Sequence, residues 1–378
     1  MELTYEKYLI ERAARGQIPL NASLELLPVC NMNCDMCYVR LSREEMERQG
    51  RLRRADEWLA LADQMKEAGT LFVLLTGGEP LLYPGFREVY LGLRKMGMIL
   101  TVNTNGTLLD EGWADFFAQH PPRRMNITLY GADEEAYEKL CHYPGGFEKT
   151  IRAIRLLRAR NVDVKINGSL VRANEGNIKR IVDIAEKLDA AVNIDTYMYP
   201  AVRERHRPFD QQSRLLPEAA AQGRMSFLRA VLPKENYLAA AKEKVTIVSE
   251  TGAGERTPGE MQCQAGRSSF TVNWQGYMRP CVMLTEPSLS VFSMDFMAAW
   301  RQLAEITAQI RLSPECSACR MRRICQNCAA CAKLETGRCD GIPEYMCRYT
   351  EETLRLSEEA IEAEAGADDR EGDGIYEI

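Results

Sequence analysis

Three cysteines, Cys30, Cys34 and Cys37, stand in the spacing C-x3-C-x2-C within VCNMNCDMCY. Three thiolates can hold three irons of a four-iron cluster and leave the fourth iron without a protein ligand. That vacancy is the counterpart of the open position that separates catalytic from structural zinc sites. The competing reading is a zinc knuckle or buried thiols. A closed zinc site would want a fourth Cys or His nearby, and none lies between Arg40 and His120. Of the thirteen cysteines, Cys141 stands alone and nine fall between Cys263 and Cys347, more than packing explains. No stretch of the N-terminus, MELTYEKYLIERAARGQ, has the apolar core of a signal peptide. A cytosolic location is therefore expected, where thiols stay reduced and serve as metal ligands rather than disulfides.

The other residues with chemical potential sit in short polar runs. Thr76-Gly77-Gly78-Glu79-Pro80 joins two glycines, which let a backbone approach a ligand closely, to one carboxylate. Asn103-Thr104-Asn105-Gly106 is a polar turn, and Thr128-Leu129-Tyr130-Gly131 another. Lys165-Ile166-Asn167-Gly168-Ser169 is followed by Arg172, whose guanidinium could bind a carboxylate with two prongs. Tyr197 and Met198 close the series. A bare turn accounts for each run, but not for their regular placement.

That placement comes from the elements between them. Apolar runs at 23–28, 71–76, 99–104, 125–130, 163–171 and 192–198 read as strands. Amphipathic patterns at about 56–68, 84–96, 110–119, 147–160 and 177–189 read as helices. Alternation of this kind implies a parallel sheet, with each polar run at a C-terminal strand end, where α/β active sites lie. A closed barrel would need two more units, so an open, partial (β/α)6 barrel over residues 23–200 is expected. Residues 1–22 form an N-terminal extension, and 201–262 a bridge with helices at about 216–232 and 234–243. Residues 263–350 form a small cysteine-rich domain. Residues 351–378 carry eleven acids and two arginines and read as an acidic tail, helical at first and then disordered. Removing that tail turns a formal net charge of −6 into +3, and no nucleic-acid-binding surface stands out. No apolar run approaches the roughly 20 residues that span a bilayer.

The cysteine triplet, the GGE run and the NTNG turn together resemble the radical S-adenosylmethionine (SAM) enzymes. The resemblance implies a [4Fe-4S] cluster on Cys30, Cys34 and Cys37 whose open iron chelates SAM and cleaves it reductively to a 5′-deoxyadenosyl radical. It further implies SAM contacts from Gly77, Gly78, Glu79, Asn103 and Asn105, and by position from Thr128, Asn167, Ser169, Arg172 and Tyr197. One departure is Met36, where that family commonly has an aromatic residue before the third cysteine. A flexible thioether can fill the same space.

The later cysteines read Cys263-x12-Gly276-x4-Cys281, then Cys316-x2-Cys319-x5-Cys325-x2-Cys328-x2-Cys331, then Cys339 and Cys347. SSFTVNWQGYMRPC reads as a hairpin turning at Gln275-Gly276. This field resembles the SPASM extension, which implies two auxiliary iron–sulfur clusters, again of the four-iron type. By that resemblance Cys316, Cys319, Cys325 and Cys347 would hold the distal cluster. Cys263 and Cys281, with Cys328 or Cys331, would hold the proximal one, Cys339 being a candidate fourth ligand. The spacing departs from the pattern, with two residues rather than three between Cys325 and Cys328. Zinc is the alternative, since C-x2-C pairs serve both metals.

Within that group the resemblance implies an oxidoreductase that modifies a ribosomally synthesised peptide, forming a thioether or carbon–carbon crosslink. A flavodoxin- or ferredoxin-type donor would supply electrons. Leader recognition would fall to a separate protein or to the bridge, because residues 1–22 are too short for a folded recognition domain. Haem or quinone-cofactor modification and sulfatase maturation are the other enzymatic readings, and a non-catalytic iron–sulfur or zinc protein the last. Val282 follows Cys281 where sulfatase-maturing relatives carry an aspartate, which counts against that chemistry. No general base stands out among His120, His142 and His206.

Overall fold

A computed structural model describes residues 4–199, 213–250 and 259–372. Residues 200–212 and 251–258 of the expected bridge, with His206, lie outside the described residues, as does the end of the tail. Nine strands form one sheet: β1 (Asn21–Glu25), β2 (Phe72–Thr76), β3 (Ile99–Thr104), β4 (Arg124–Thr128), β5 (Val164–Ser169), β6 (Ala191–Asp195), β7 (Ser269–Val272), β8 (Tyr277–Arg279) and β9 (Leu289–Ser290). Its order is β6-β5-β4-β3-β2-β1-β7-β8-β9. Strands β1 to β6 pair in parallel in chain order, the six-unit open barrel expected from the alternation.

The helices of the barrel half are α1 (Tyr5–Gly16), α2 (Arg43–Gln49), α3 (Ala55–Glu67), α4 (Phe86–Lys95), α5 (Glu111–Gln119), α6 (Glu134–Cys141), α7 (Gly146–Arg158) and α8 (Ile178–Lys187). After them come α9 (Pro217–Val231), α10 (Lys234–Ser249), α11 (Phe296–Ala308), α12 (Pro314–Ala318), α13 (Ala329–Thr336) and α14 (Glu344–Gly372). Burial alternates along β2, β3, β4 and β5. In β3, Leu100, Val102 and Thr104 are buried on the helix side, whereas Thr101 and Asn103 are half-exposed on the concave side. The helix side is packed by Phe86, Tyr90, Phe116 and Phe117, with ring centroids 5.2–6.3 Å apart.

Two elements differ from expectation. The cysteine-rich hairpin does turn at Gly276, but it is not a separate sheet. β7 pairs in parallel with β1, Ser23 opposite Thr271, so the barrel's free edge is extended by the later segment. Pairing there removes an open edge next to the strand that feeds the cysteine loop. The acidic tail is also more ordered than composition implied. α14 begins at Glu344, ahead of the tail, and runs to Gly372 against α9 and α10. Tyr349, Thr353, Leu354 and Ser357 are buried there, and Arg348 pairs with Glu218 on α9 at 2.7 Å. A one-sided apolar stripe supplies the packing that lets an acid-rich segment stay helical.

Candidate active site

The cysteine loop leaves β1 through Leu26–Val29 and is laid down against the turn after β2. Gly78 N donates to Leu27 O at 2.7 Å and Glu79 N to Val29 O at 3.0 Å. A Cβ on Gly77, whose φ is +146°, would sit 2.3 Å from Leu27 O, and one on Gly78 2.4 Å from Val29 O. Both glycines are therefore required by a backbone-on-backbone contact that positions Cys30. Their place in the fold is the stalk of the cysteine loop.

Glu79 is fully buried. Its Oε1 accepts from Leu81 N at 3.1 Å and Thr104 Oγ1 at 2.7 Å, and its Oε2 from Asn105 N at 2.8 Å. Burial pushes its carboxyl up to about 7 against the pull of these three bonds. The carboxylate thus ties the second strand end to the third. Asn105 carries the tie onward: its Nδ2 donates to Asn31 Oδ1 at 2.9 Å and reaches Cys30 Sγ at 3.6 Å. Asn31 Nδ2 in turn donates to Thr107 Oγ1, which donates to Asn105 Oδ1.

The rest of the loop is held by α6, which the sequence reading passed over. Asn33 N donates to Cys141 O, Asp35 N to Leu140 O, and His142 Nε2 meets Asp35 Oδ1 at 2.8 Å. The Cys34 thiol, raised well above its ordinary value, is hydrogen-bonded to Cys141 and buried. Burial raises Cys30 strongly and brings Cys37 to about 11, the neighbouring loop thiols adding to both. Three thiols that feel one another on one loop fit a cluster ligand set, with proton release on binding. Among the described residues no three His, Cys, Asp or Glu side chains converge as a single ion requires. That is the arrangement a zinc knuckle would need. Cys30, Cys34 and Cys37 could hold the SAM-binding cluster.

The concave face carries the remaining candidates. Asn103 accepts from Asn126 Nδ2 at 2.8 Å across β3 and β4. Thr128 lies opposite Asn167, Asn167 opposite Asn193, and Ser169 opposite Asp195. Arg172 is exposed at the start of a 3-10 turn, with its N–H donating to Ser213 O, and does not line the cavity.

That cavity, of about 390 Å³, opens between Met36 and Tyr38 of the cysteine loop, Tyr197 and Tyr199 after β6, Arg224 of α9, and Met283 and Gln326 of the later segment. Ser169 joins its lining. The Tyr197 hydroxyl donates to Glu335 Oε1 at 2.8 Å and lies 2.9 Å from Cys331 Sγ. Glu335 pairs with Arg214 at 2.6 Å, both nearly buried, and Arg214 lies 3.5 Å above the Tyr345 ring. Spacing held no sign of this joint, because it unites β6, α13 and α14.

The second cysteine field divides in two. Cys316, Cys319, Cys325 and Cys347, the set expected for the distal cluster, line one small pocket with Arg322 and Asn327. Asn327 donates to two of them, Nδ2 to Cys316 Sγ at 3.5 Å and N to Cys325 Sγ at 3.4 Å. Cys281, Cys328 and Cys339 pack around Met283, Leu284 and Ala330. Cys263 and Cys281 both feel Cys328 electrostatically. Cys331 is fully buried on the side of the main core, with its thiol pushed up to about 12 by burial and held by Tyr197. Cys263, Cys281, Cys328 and Cys339 could together hold a second auxiliary cluster, and Cys331, whose N–H donates to Cys328 Sγ at 3.4 Å, stands next to them. Cys281→Ala and Cys339→Ala should each lower bound iron by about one cluster, while Cys331→Ala should leave it near the parent value. Iron and sulfide per chain after reconstitution check this. Loss of iron in Cys331→Ala would return that thiol to the ligand set.

An open parallel barrel whose first strand feeds a three-thiol loop, joined by its edge to a second thiol-rich segment, places two thiol fields that could hold iron–sulfur clusters in one molecule. The Radical SAM superfamily matches residues 24–187. Over that segment the chain is similar to the radical SAM superfamily, and its overall fold is shared with solved structures of low sequence identity. It is 26% identical over 338 residues to an AdoMet-dependent heme synthase of Methanosarcina barkeri, covering 86% of this chain and 95% of that protein. It is also 26% identical over 172 residues to the PqqA peptide cyclase of Granulibacter bethesdensis, spanning 45% of that relative's length. Among solved structures, anSMEcpe with bound AdoMet superposes at a TM-score of 0.68 with 17% identity, over 92% of this chain and all of that one. Streptococcus suis SuiB superposes at 0.65 with 15% identity, over 91% and 82%. No helix among the described residues is long and apolar enough to cross a membrane.

Proposed function

We propose that this enzyme oxidatively modifies a ribosomally synthesised peptide, forming a crosslink at a side chain seated in the cavity between the two cysteine fields. The observation that carries the reading is the lining of that cavity. Bound together, the cluster and SAM supply hydrogen abstraction from an unactivated carbon, which no side-chain acid or base can do. The residues of this chain would seat and shield the substrate. Met36, Met283, Tyr38 and Tyr199 offer a soft apolar surface that adapts to a side chain and excludes water. Glu79, Asn105, Asn31 and Thr107 keep Cys30 in place, and α6 keeps Cys34 in place. Val282 packs beside Met283 and Leu284 and brings no base, so sulfatase-type oxidation is not favoured.

A second reading, modification of haem side chains, is favoured by the near full-length match to heme synthases. Against it stands the charge of the cavity. A tetrapyrrole bearing several carboxylates would want several cations, and among the described lining residues Arg224 is alone, opposite Asp195. The thirteen free thiols suit a reducing compartment such as the cytosol. An electron donor of flavodoxin or ferredoxin type and a leader-binding partner belong to the same proposal.

The test is to incubate reconstituted enzyme, SAM and a reductant with a peptide encoded beside its gene. The expected product is lighter by two hydrogens, located by tandem mass spectrometry. Deoxyadenosine released with every such peptide unchanged would sink the peptide reading.

A further inference from the structure

Arg224 is half-buried on α9, between the buried Gly223 and Met225, and its side chain lines the cavity. Its position against the Phe227 ring, 5.7 Å away, turns the guanidinium along the helix. Among the described residues it makes no ion pair. Asp195, the single carboxylate of the lining, is engaged by Asn193 Nδ2 at 3.0 Å.

The contrast with Arg214 is instructive. That arginine is paired with Glu335 and lies against the Tyr197 and Tyr345 rings. Where a buried arginine serves packing alone, the fold has supplied its carboxylate. Lys244 on α10 adds a second cation close to Arg224. Its ammonium donates to Ala240 O of its own helix at 3.1 Å, and burial together with the Arg224 charge lowers its pKa. Glu243, the neighbouring carboxylate, opposes that shift.

We propose that Arg224 is a carboxylate-binding subsite that selects substrates bearing an acidic group. This rests on the cavity being the substrate site, and it names the chemistry recognised there. An Asp or Glu of a peptide, or its C-terminus, supplies that carboxylate. A porphyrin carboxylate has the same chemistry and is distinguished by experiment. Arg suits the task because its fork matches a carboxylate in two parallel bonds.

The experiment uses the cluster-reconstituted full chain and two probes: a random-sequence peptide library, and coproporphyrin beside its tetramethyl ester. Peptides retained by the parent enzyme should be enriched in Asp or Glu. In Arg224→Met that enrichment should fall about tenfold or more, with partial recovery in Arg224→Lys. SAM affinity, measured separately, should be unchanged in both variants. Peptide capture with no acidic preference, or with the same preference in Arg224→Met, overturns the subsite while leaving the peptide reading intact. Weakened SAM binding in Arg224→Met also overturns it, by assigning the arginine to the carboxylate of SAM. Arg224-dependent binding of coproporphyrin over its ester, with no peptide captured, supports the subsite and overturns the peptide reading.

Discussion

Gly78→Ala is expected to remove the radical-generating centre without touching a ligand or a catalytic group. The added Cβ would lie 2.4 Å from Val29 O, 2.6 Å from Val29 C and 2.7 Å from Pro28 O. All three are backbone atoms of the stalk carrying Cys30, and no flexible side chain is there to yield. The two segments are also hydrogen-bonded to each other, so moving one breaks Gly78 N to Leu27 O and Glu79 N to Val29 O together. We expect destabilisation of roughly 3 kcal/mol, the upper range of overpacking costs. Displacing Cys30 should also lower iron by about one cluster per chain and deoxyadenosine formation by about a hundredfold. Gly176→Ala is the matched control, because nothing lies within 4 Å of its added Cβ. Parent-level iron and deoxyadenosine in Gly78→Ala would show that the stalk is compliant and the contact dispensable.

Glu335→Ala should give the largest stability loss at any site outside the cysteine loops. It takes the Glu335 carboxylate away from Arg214, whose side chain is 5% exposed, in a site lined by the Tyr197 and Tyr345 rings. Removing one partner of a buried pair costs about 3–5 kcal/mol, because the remaining charge stays desolvated. The same change removes one of the two contacts of the Tyr197 hydroxyl beside the cavity and leaves the one with Cys331 Sγ at 2.9 Å. Denaturant unfolding of the whole chain should show the midpoint shift. Glu335→Gln, which keeps a hydrogen-bond acceptor, should lose less than Glu335→Ala. A loss below about 1 kcal/mol in Glu335→Ala would mean water reaches the pair, since exposed pairs contribute no more than that.

Much of the barrel was legible, and for local reasons. Each of β1 to β6 falls within a few residues of its expected run, because strand periodicity and flanking turn residues are written over five to eight positions. Cys316, Cys319, Cys325 and Cys347, grouped only by the resemblance, line one pocket. Helices α1, α2 and α6 of the barrel half were missed, as were α11, α12 and α13 later in the chain, and α6 mattered most. Its motif-free sequence, EEAYEKLC, offers no sign that its last residues grip Asn33 and Asp35 across about a hundred positions. Asn31 and Thr107 were passed over although each adjoins a singled-out motif, and adjacency was the signal that could have found them. The role of Glu79 was legible only as a carboxylate beside a strand end. Its three hydrogen bonds to the second and third strand ends needed coordinates.

By itself, the sequence determined which atoms could do chemistry and in what frame: thiols in a spacing that leaves a vacancy, at the ends of parallel strands. Ligand spacing and strand period are short-range properties, and a linear reading captures them. Tertiary structure alone decided which distant groups meet. It set Cys331 against Tyr197, joined β7 to β1, and turned Arg224 toward the cavity without an ion pair among the described residues. Those outcomes depend on packing between elements tens to hundreds of residues apart, where burial selects a partner for each polar group and spacing carries no record of the choice.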